Sequence, residues 1–166
     1  MDLEEYIEQY GDYLYRIAFI YMKDQHAAEE VVQDVFMKLY ETRQFEGKSS
    51  LKTYLTRMTI NTCYDYLRKW KARKNQLLDY VLKREHAAEQ VVLALQERDE
   101  IVESILKLPL KYREVILLYY YDDLTTAEVA ALLKVPESTV GTRLQRARQK
   151  LKQILPAIEW EVLKGG

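Results

Sequence analysis

The sequence predicts an all-α fold: two small helical bundles joined by a tether, the second containing a helix-turn-helix. Three observations carry that prediction. Only 5 glycines and 3 prolines interrupt 166 residues, which favours long helices over strands and tight turns. Apolar residues recur at spacings of three and four along most of the chain. Beyond residue 124, a short apolar helix, a tight turn and a longer basic helix follow one another.

Taken in order, the first helix is marked by one apolar stripe, Leu3, Tyr6, Ile7, Tyr10, Leu14, Ile17 and Tyr21. Asp24 is the expected N-cap of the second, because its side chain can accept a free amide at the helix start. That helix carries Ala28, Val31, Val32, Val35, Phe36 and Leu39 on its buried side. The run ETRQFEGKSS, with Gly47 and two serines, reads as a loop. A third helix runs from Leu51 to about Lys71. It has Leu51, Leu55, Met58 and Thr62 on one face and Cys63, Leu67 and Trp70 on another, so it should pack against more than one neighbour. Residues 72–94 lack strong punctuation and read as a partly helical tether.

A fourth helix is expected over residues 95–107. Pro109 suits the first position of the next, LKYREVILLYYY, which Asp122 and Asp123 end. Thr125 followed by Glu128 forms a capping box for TAEVAALL. Residues 134–136 make the turn, with Pro136 at the first position of a last helix from about Glu137 to Leu155, and Pro156 stops that helix. Ala130 lets the two helices of the motif cross closely, and Val140 plugs the angle between them. Lys134 stands where a positive φ is wanted and glycine is usual, at a cost of about 1 kcal/mol. On the last helix Val140, Leu144, Ala147, Leu151 and Ile154 form the buried stripe. Ser138, Thr142, Gln145 and Gln149 lie opposite, with Arg146 beside them, suited to base edges in a major groove. Arg143, Arg148, Lys150 and Lys152 flank that face and suit phosphates.

Charge is nearly balanced overall, at −1, but it is segregated. Residues 1–42 carry −7, 43–74 carry +7, 75–133 carry −5 and 134–155 carry +5. Two basic segments suggest two contacts with a polyanion, although a solvated helix face gives the same counts. The first pairs the loop FEGKSS with a helix bearing Arg57, Asn61, Arg68 and Lys69 on one side. Phe45, Tyr54, Tyr64, Tyr66 and Trp70 interleave with these cations, a pattern that suits single-stranded DNA, while Tyr54 and Trp70 read as core.

Other classes are disfavoured. One cysteine, Cys63, permits no internal disulfide, and His26 and His86 lie far apart without cysteine neighbours, so no metal site is expected. No eighteen-residue apolar stretch exists, and MDLEEYIEQYGDY is too acidic for a secretory signal, so a soluble intracellular protein is expected. No phosphate-binding loop or nucleophile–base pair is visible, which argues against an enzyme, a cofactor or a small-molecule substrate. A stand-alone helix-turn-helix regulator and a helical protein adaptor stay open on these grounds. The separate basic–aromatic segment weighs against the first and the two basic blocks against the second.

Three blocks carry a family resemblance: YRIAFIYMKDQHAAEEVVQDVFMKLYE, FEGKSSLKTYLTRMTINTCYDYLRKWK and LPLKYREVILLYYYDDLTTAEVAALLKVPESTVGTRLQRARQKL. In that order they resemble an extracytoplasmic-function (group IV) sigma factor of bacterial RNA polymerase, over roughly residues 6–155. The resemblance implies a domain at 1–73 that binds core polymerase and melts the minus-ten element, a linker at 74–94, and a helix-turn-helix domain at 95–160 that reads the minus-thirty-five element. It implies core-polymerase contacts at Glu30, Asp34, Val35, Phe36 and Lys38. For the minus-ten strand it implies Phe45, Gly47, Lys48, Ser49 and Ser50 in the loop, then Lys52, Arg57, Asn61, Asp65, Arg68 and Lys69 on the following helix. A flipped base would enter a pocket at that loop, with Asn61 reading its edge. For the minus-thirty-five duplex it implies Ser138, Thr139, Thr142, Arg143, Gln145, Arg146 and Arg148. Gly141 departs from the family, which often has a cation there. The implied partners are core RNA polymerase, promoter DNA and an anti-sigma factor. The implied location is the cytoplasm, at the membrane when an anti-sigma factor holds the protein there. With no long C-terminal extension, sensing by an added domain is not expected.

Overall fold

The computed structural model describes residues 2–42, 47, 50–73 and 100–158. Among these residues there are helices and turns and no strand, in line with the sequence periodicity. The chain divides into two units, Met1–Val91 and Val92–Gly166. The expected linker, 74–94, and the opening of the expected fourth helix, 95–99, lie outside the described residues.

Among the described residues, three helices of the first unit pack against one another. Helix α1 (Leu3–Met22) starts at Asp2, whose carboxylate accepts from the Leu3 amide at 2.6 Å while Glu5 accepts from the Asp2 amide at 3.3 Å. It stops at Lys23, which turns left-handed (φ 56°) and donates its amide to the Phe19 carbonyl. Asp24 caps α2 (Gln25–Thr42) by accepting the Ala27 amide at 2.8 Å. Ser50 caps α3 (Leu51–Ala72) by accepting the Thr53 amide at 3.1 Å. These caps fix where helices begin, each contributing about 1 kcal/mol. Burial holds the bundle: Leu14, Ile17, Met22, Val31, Val35 and Leu55 expose nothing, at ~1.5–3 kcal/mol for each large apolar side chain.

Two stripes differ from expectation. Only the C-terminal half of α1 is covered, so Leu3, Tyr6 and Tyr10 are half-buried and Ile7 is 44% exposed. On α3 the buried positions are Leu55, Thr56, Thr59, Ile60, Thr62 and Cys63, while Leu51, Met58, Leu67 and Trp70 are half-buried. Threonine is tolerated there because each hydroxyl donates to its own helix's carbonyl four residues back, Lys52, Leu55 and Met58, all at 2.8 Å. The satisfied hydroxyl leaves the methyl to pack.

The second unit contains α4 (Glu100–Leu106), α5 (Leu110–Ile116), a π-helical turn continuing α5 over Leu117–Tyr121, then α6 (Thr126–Leu133) and α7 (Glu137–Ile154). Pro109 and Pro136 are N-caps, one position before the first helical position they were expected to occupy. Their carbonyls accept from Arg113 at 3.0 Å and Val140 at 3.3 Å. The expected helix 110–121 is thus α-helical only to Ile116; beyond it the Asp122 amide reaches the Leu117 carbonyl five residues back, at 3.1 Å.

The helix-turn-helix is built as predicted. Thr125 and Glu128 bond each other's amides at 3.1 Å, closing the capping box. Lys134 adopts φ 57° and ψ 46°, and its amide turns back to the Ala130 carbonyl. The Thr126 hydroxyl donates to Glu137 at 2.8 Å, joining the starts of the motif's two helices. Ala130 is 8% exposed and Val140 wholly buried, as the close crossing requires. Ile154, expected in the buried stripe, is 39% exposed because the stripe ends at Leu151.

Candidate nucleic-acid and protein interfaces

Helix α2 presents two chemically distinct sides. Val35 and Phe36 point into the first unit's core, with 0% and 5% exposure. Asp34 is half-buried and accepts the Tyr66 hydroxyl at 2.6 Å. Burial, then the hydrogen bond and charge of Asp34, push the Tyr66 phenol well above its ordinary value, so it stays a donor. The Lys38 ammonium donates to Thr62 at 3.3 Å. Glu30 and Gln33 are exposed, and Met37 and Tyr40 beside them are exposed at 57% and 58%. Neither Met37 nor Tyr40 was singled out from the sequence. The available signal was their helical phase, opposite the core stripe Ala28–Val31–Val35–Leu39.

Helix α3 carries the first basic surface. Arg57, Asn61 and Arg68 are exposed and share one strip of the helix, since spacings of four and seven return to one side. Lys71, also exposed, lies on that strip and was missed. Asp65 pairs with Arg68 within the helix. Lys69 lies over the Tyr66 ring at 5.9 Å, and Lys52 over the Tyr13 ring at 4.5 Å. Tyr64 packs edge-on to Tyr21, centroids 5.8 Å apart, and Tyr66 edge-on to Trp70 at 6.4 Å. Three of the interleaved aromatics, Tyr64, Tyr66 and Trp70, thus serve packing first. In the loop, Gly47 has φ +72° and open space where a side chain would stand. Ser50 spends its hydroxyl on the helix cap, while Phe45, Lys48 and Ser49 lie outside the described residues.

In the second unit, Ser138, Thr142, Gln145 and Arg146 are exposed on one side of α7, and Thr139 is half-buried beside them. Ser138, Thr139, Thr142, Arg143 and Arg146 face Lys111 and Tyr112 of α5 across a cleft of about 260 Å³. Lys111 and Tyr112 were not among the residues expected here. Burial raises the Tyr112 phenol, but the Arg146 hydrogen bond and the Lys111 and Arg146 charges outweigh it, leaving the phenol below its ordinary value. Lys111, Arg143 and Arg146 make the cleft electropositive and suited to an anion. Arg143 lies 3.9 Å from Glu114, which is 3% exposed, so part of its charge is spent internally. Arg148 is half-buried; its Nε donates to the Tyr120 hydroxyl at 2.6 Å. No group of His, Cys, Asp and Glu that could hold a metal occurs among the described residues. No described helix is long and apolar enough to cross a membrane.

Comparison with known proteins gives a consistent picture. Residues 6–74 match the Sigma-70 region 2 family and residues 98–151 the Sigma-70, region 4 family. The ECF RNA polymerase sigma factor SigW of Bacillus subtilis is 31% identical, over 90% of this chain and 86% of its own length. SigM of the same bacterium is 28% identical, over 93% of this chain and 95% of its own. Among solved structures, the sigma factor RpoE, crystallised with the anti-sigma factor NepR from Bartonella quintana, superposes with a TM-score of 0.72 at 22% identity, covering 95% of this chain and 99% of that one. CnrH, solved with the cytosolic domain of CnrY, gives 0.62 at 23% identity, covering 95% and 89%.

Proposed function

The chain belongs to the extracytoplasmic-function family of RNA polymerase sigma factors, and we propose from that premise how its parts share the start of transcription. The domain at 1–73 binds core polymerase and opens the minus-ten region, the domain at 95–160 reads the minus-thirty-five duplex, and 74–94 links them. One observation carries the reading: exposed Arg57, Asn61, Arg68 and Lys71 form a basic strip in one unit, and the helix-turn-helix sits in the other. A stand-alone regulator needs only the second.

The parts follow from their chemistry. Glu30 and Asp34 make α2 repel DNA, and exposed Met37 and Tyr40 add apolar area, a combination suited to a protein partner. Core polymerase is that partner. Asn61 has both a donor and an acceptor and reads an unpaired base, with Arg57, Arg68 and Lys71 along the strand backbone. Ser138, Thr142, Gln145 and Arg146 read base edges, and Lys111 with Tyr112 holds a flanking phosphate. The protein acts by binding, without catalysis, in the cytoplasm where polymerase and promoters are. RpoE's crystallisation with an anti-sigma factor supports an inhibitor of that kind here too.

Run-off transcription with purified core polymerase tests this reading. Wild-type protein should direct initiation from a subset of a promoter library. Asn61→Ala should bind core normally yet lose opening on duplex templates. A template pre-melted at minus ten should recover part of the yield, because the unstacking cost is already met. Full activity of Asn61→Ala on duplex templates would sink the pocket assignment.

A further inference from the structure

The π-helical turn after α5 places two consecutive aromatic rings around one cation of the recognition helix. With hydrogen bonds five residues back, each residue turns through a smaller angle than in an α-helix, so the rings of Tyr119 and Tyr120 diverge less. Their centroids are 5.0 Å apart at 79°. The Arg148 guanidinium carbon lies 5.6 Å from the Tyr119 ring and 5.5 Å from the Tyr120 ring, and its Nε donates to the Tyr120 hydroxyl at 2.6 Å. Tyr120 itself is only 6% exposed, so the clasp is anchored in the core. Arg148 borders the buried stripe Val140–Leu144–Ala147–Leu151, on the opposite flank from Arg143 and Arg146.

We propose that Arg148 is a positioning residue, and that the clasp formed with Tyr119 and Tyr120 sets the seat of α7 so that Ser138, Thr142 and Arg146 meet the base edges in register. This rests on α7 reading duplex DNA, and it replaces the phosphate contact that the sequence suggested for Arg148. A guanidinium can lie within cation–π range of both rings while its Nε donates in a fixed direction; a lysine, with no planar fork, does not reproduce that arrangement. A loosened clasp lets α7 rotate about its buried stripe, which costs sequence-specific contacts first and diffuse phosphate attraction last.

The test uses the full chain assembled with core polymerase. Its probes are the best promoter duplex from a library randomised at minus thirty-five and the same duplex scrambled there, across a salt series. For Arg148→Ala, Arg148→Lys and Tyr120→Phe, the preference for selected over scrambled duplex should fall roughly tenfold, about one lost base contact. Tyr120→Phe removes no charge, and it should nonetheless behave like Arg148→Ala. The slope of log affinity against log salt should stay at the wild-type value in all three. A phosphate contact predicts the reverse: a slope smaller by about 0.9 for Arg148→Ala, equal losses on both duplexes, rescue by lysine and a silent Tyr120→Phe. That outcome overturns the proposal, as do variants that melt earlier yet keep full preference. If wild type itself shows no preference, duplex reading by α7 fails, and the positioning role falls with it.

Discussion

Replacing Gly141 by alanine should stabilise the second unit. Gly141 lies inside α7, exposed, and a Cβ built there meets nothing within 4 Å. No contact is gained and none is strained, so the change reduces to helix propensity, about 0.8–1.0 kcal/mol in favour of alanine. The gain arises because glycine loses more backbone freedom on folding than alanine does. An increment of about 1 kcal/mol lowers the population of the opened helix roughly fivefold. Amide hydrogen exchange resolved by residue reads this directly: protection along α7 should rise about fivefold, while α1 to α3, in the other unit, should be unchanged. Gly11→Ala is the reciprocal control, because its Cβ would make an ordinary 3.8 Å contact with Ile7 and the effect should appear in α1 instead. Unchanged or weaker protection in α7 for Gly141→Ala would refute the reasoning, since it would mean that glycine relieves a constraint absent from this geometry.

Thr125→Ala opens the capping box and should destabilise the helix-turn-helix by about 0.5–2 kcal/mol, visible as faster exchange at the Glu128 amide. Cys63 is wholly buried, and burial pushes its thiol upward, so a thiol reagent should label the native protein only as fast as it opens and label it at once in denaturant. Asp34→Asn keeps an oxygen for the Tyr66 hydroxyl while removing the charge. Its melting temperature should stay close to wild type while its affinity for core polymerase, measured by fluorescence anisotropy, falls severalfold; undiminished affinity would remove Asp34 from the interface.

Helix ends were legible because capping chemistry is local. Asp24 and the Thr125–Glu128 pair act on amides within three residues of themselves, and Lys134 took the left-handed conformation the turn demanded. The core of α3 was less legible. Thr56 and Thr59 count as polar in any periodicity, yet their hydroxyls, like that of Thr62, are satisfied inside the helix and their methyls pack. The basic surfaces were legible as charge but not as free charge. Arg143 meets Glu114, and Arg148 meets Tyr120 from 28 positions away, partners that no local pattern announces. The π turn was hidden for a related reason: LLYYY has no residue that distinguishes one helical winding from another.

The two polar links between α2 and α3, Asp34 with Tyr66 and Lys38 with Thr62, constrain how the first unit can be rebuilt. Each spans from α2, proposed to meet polymerase, to α3, proposed to meet DNA. A chimaera that grafts only the α2 of a relative would strand a phenol and a hydroxyl whose acceptor and donor came from the discarded helix. Positions 34 and 66, and 38 and 62, therefore form inheritance units: an engineer who wants to redirect polymerase affinity must transplant both helices together or rewrite both ends of each link.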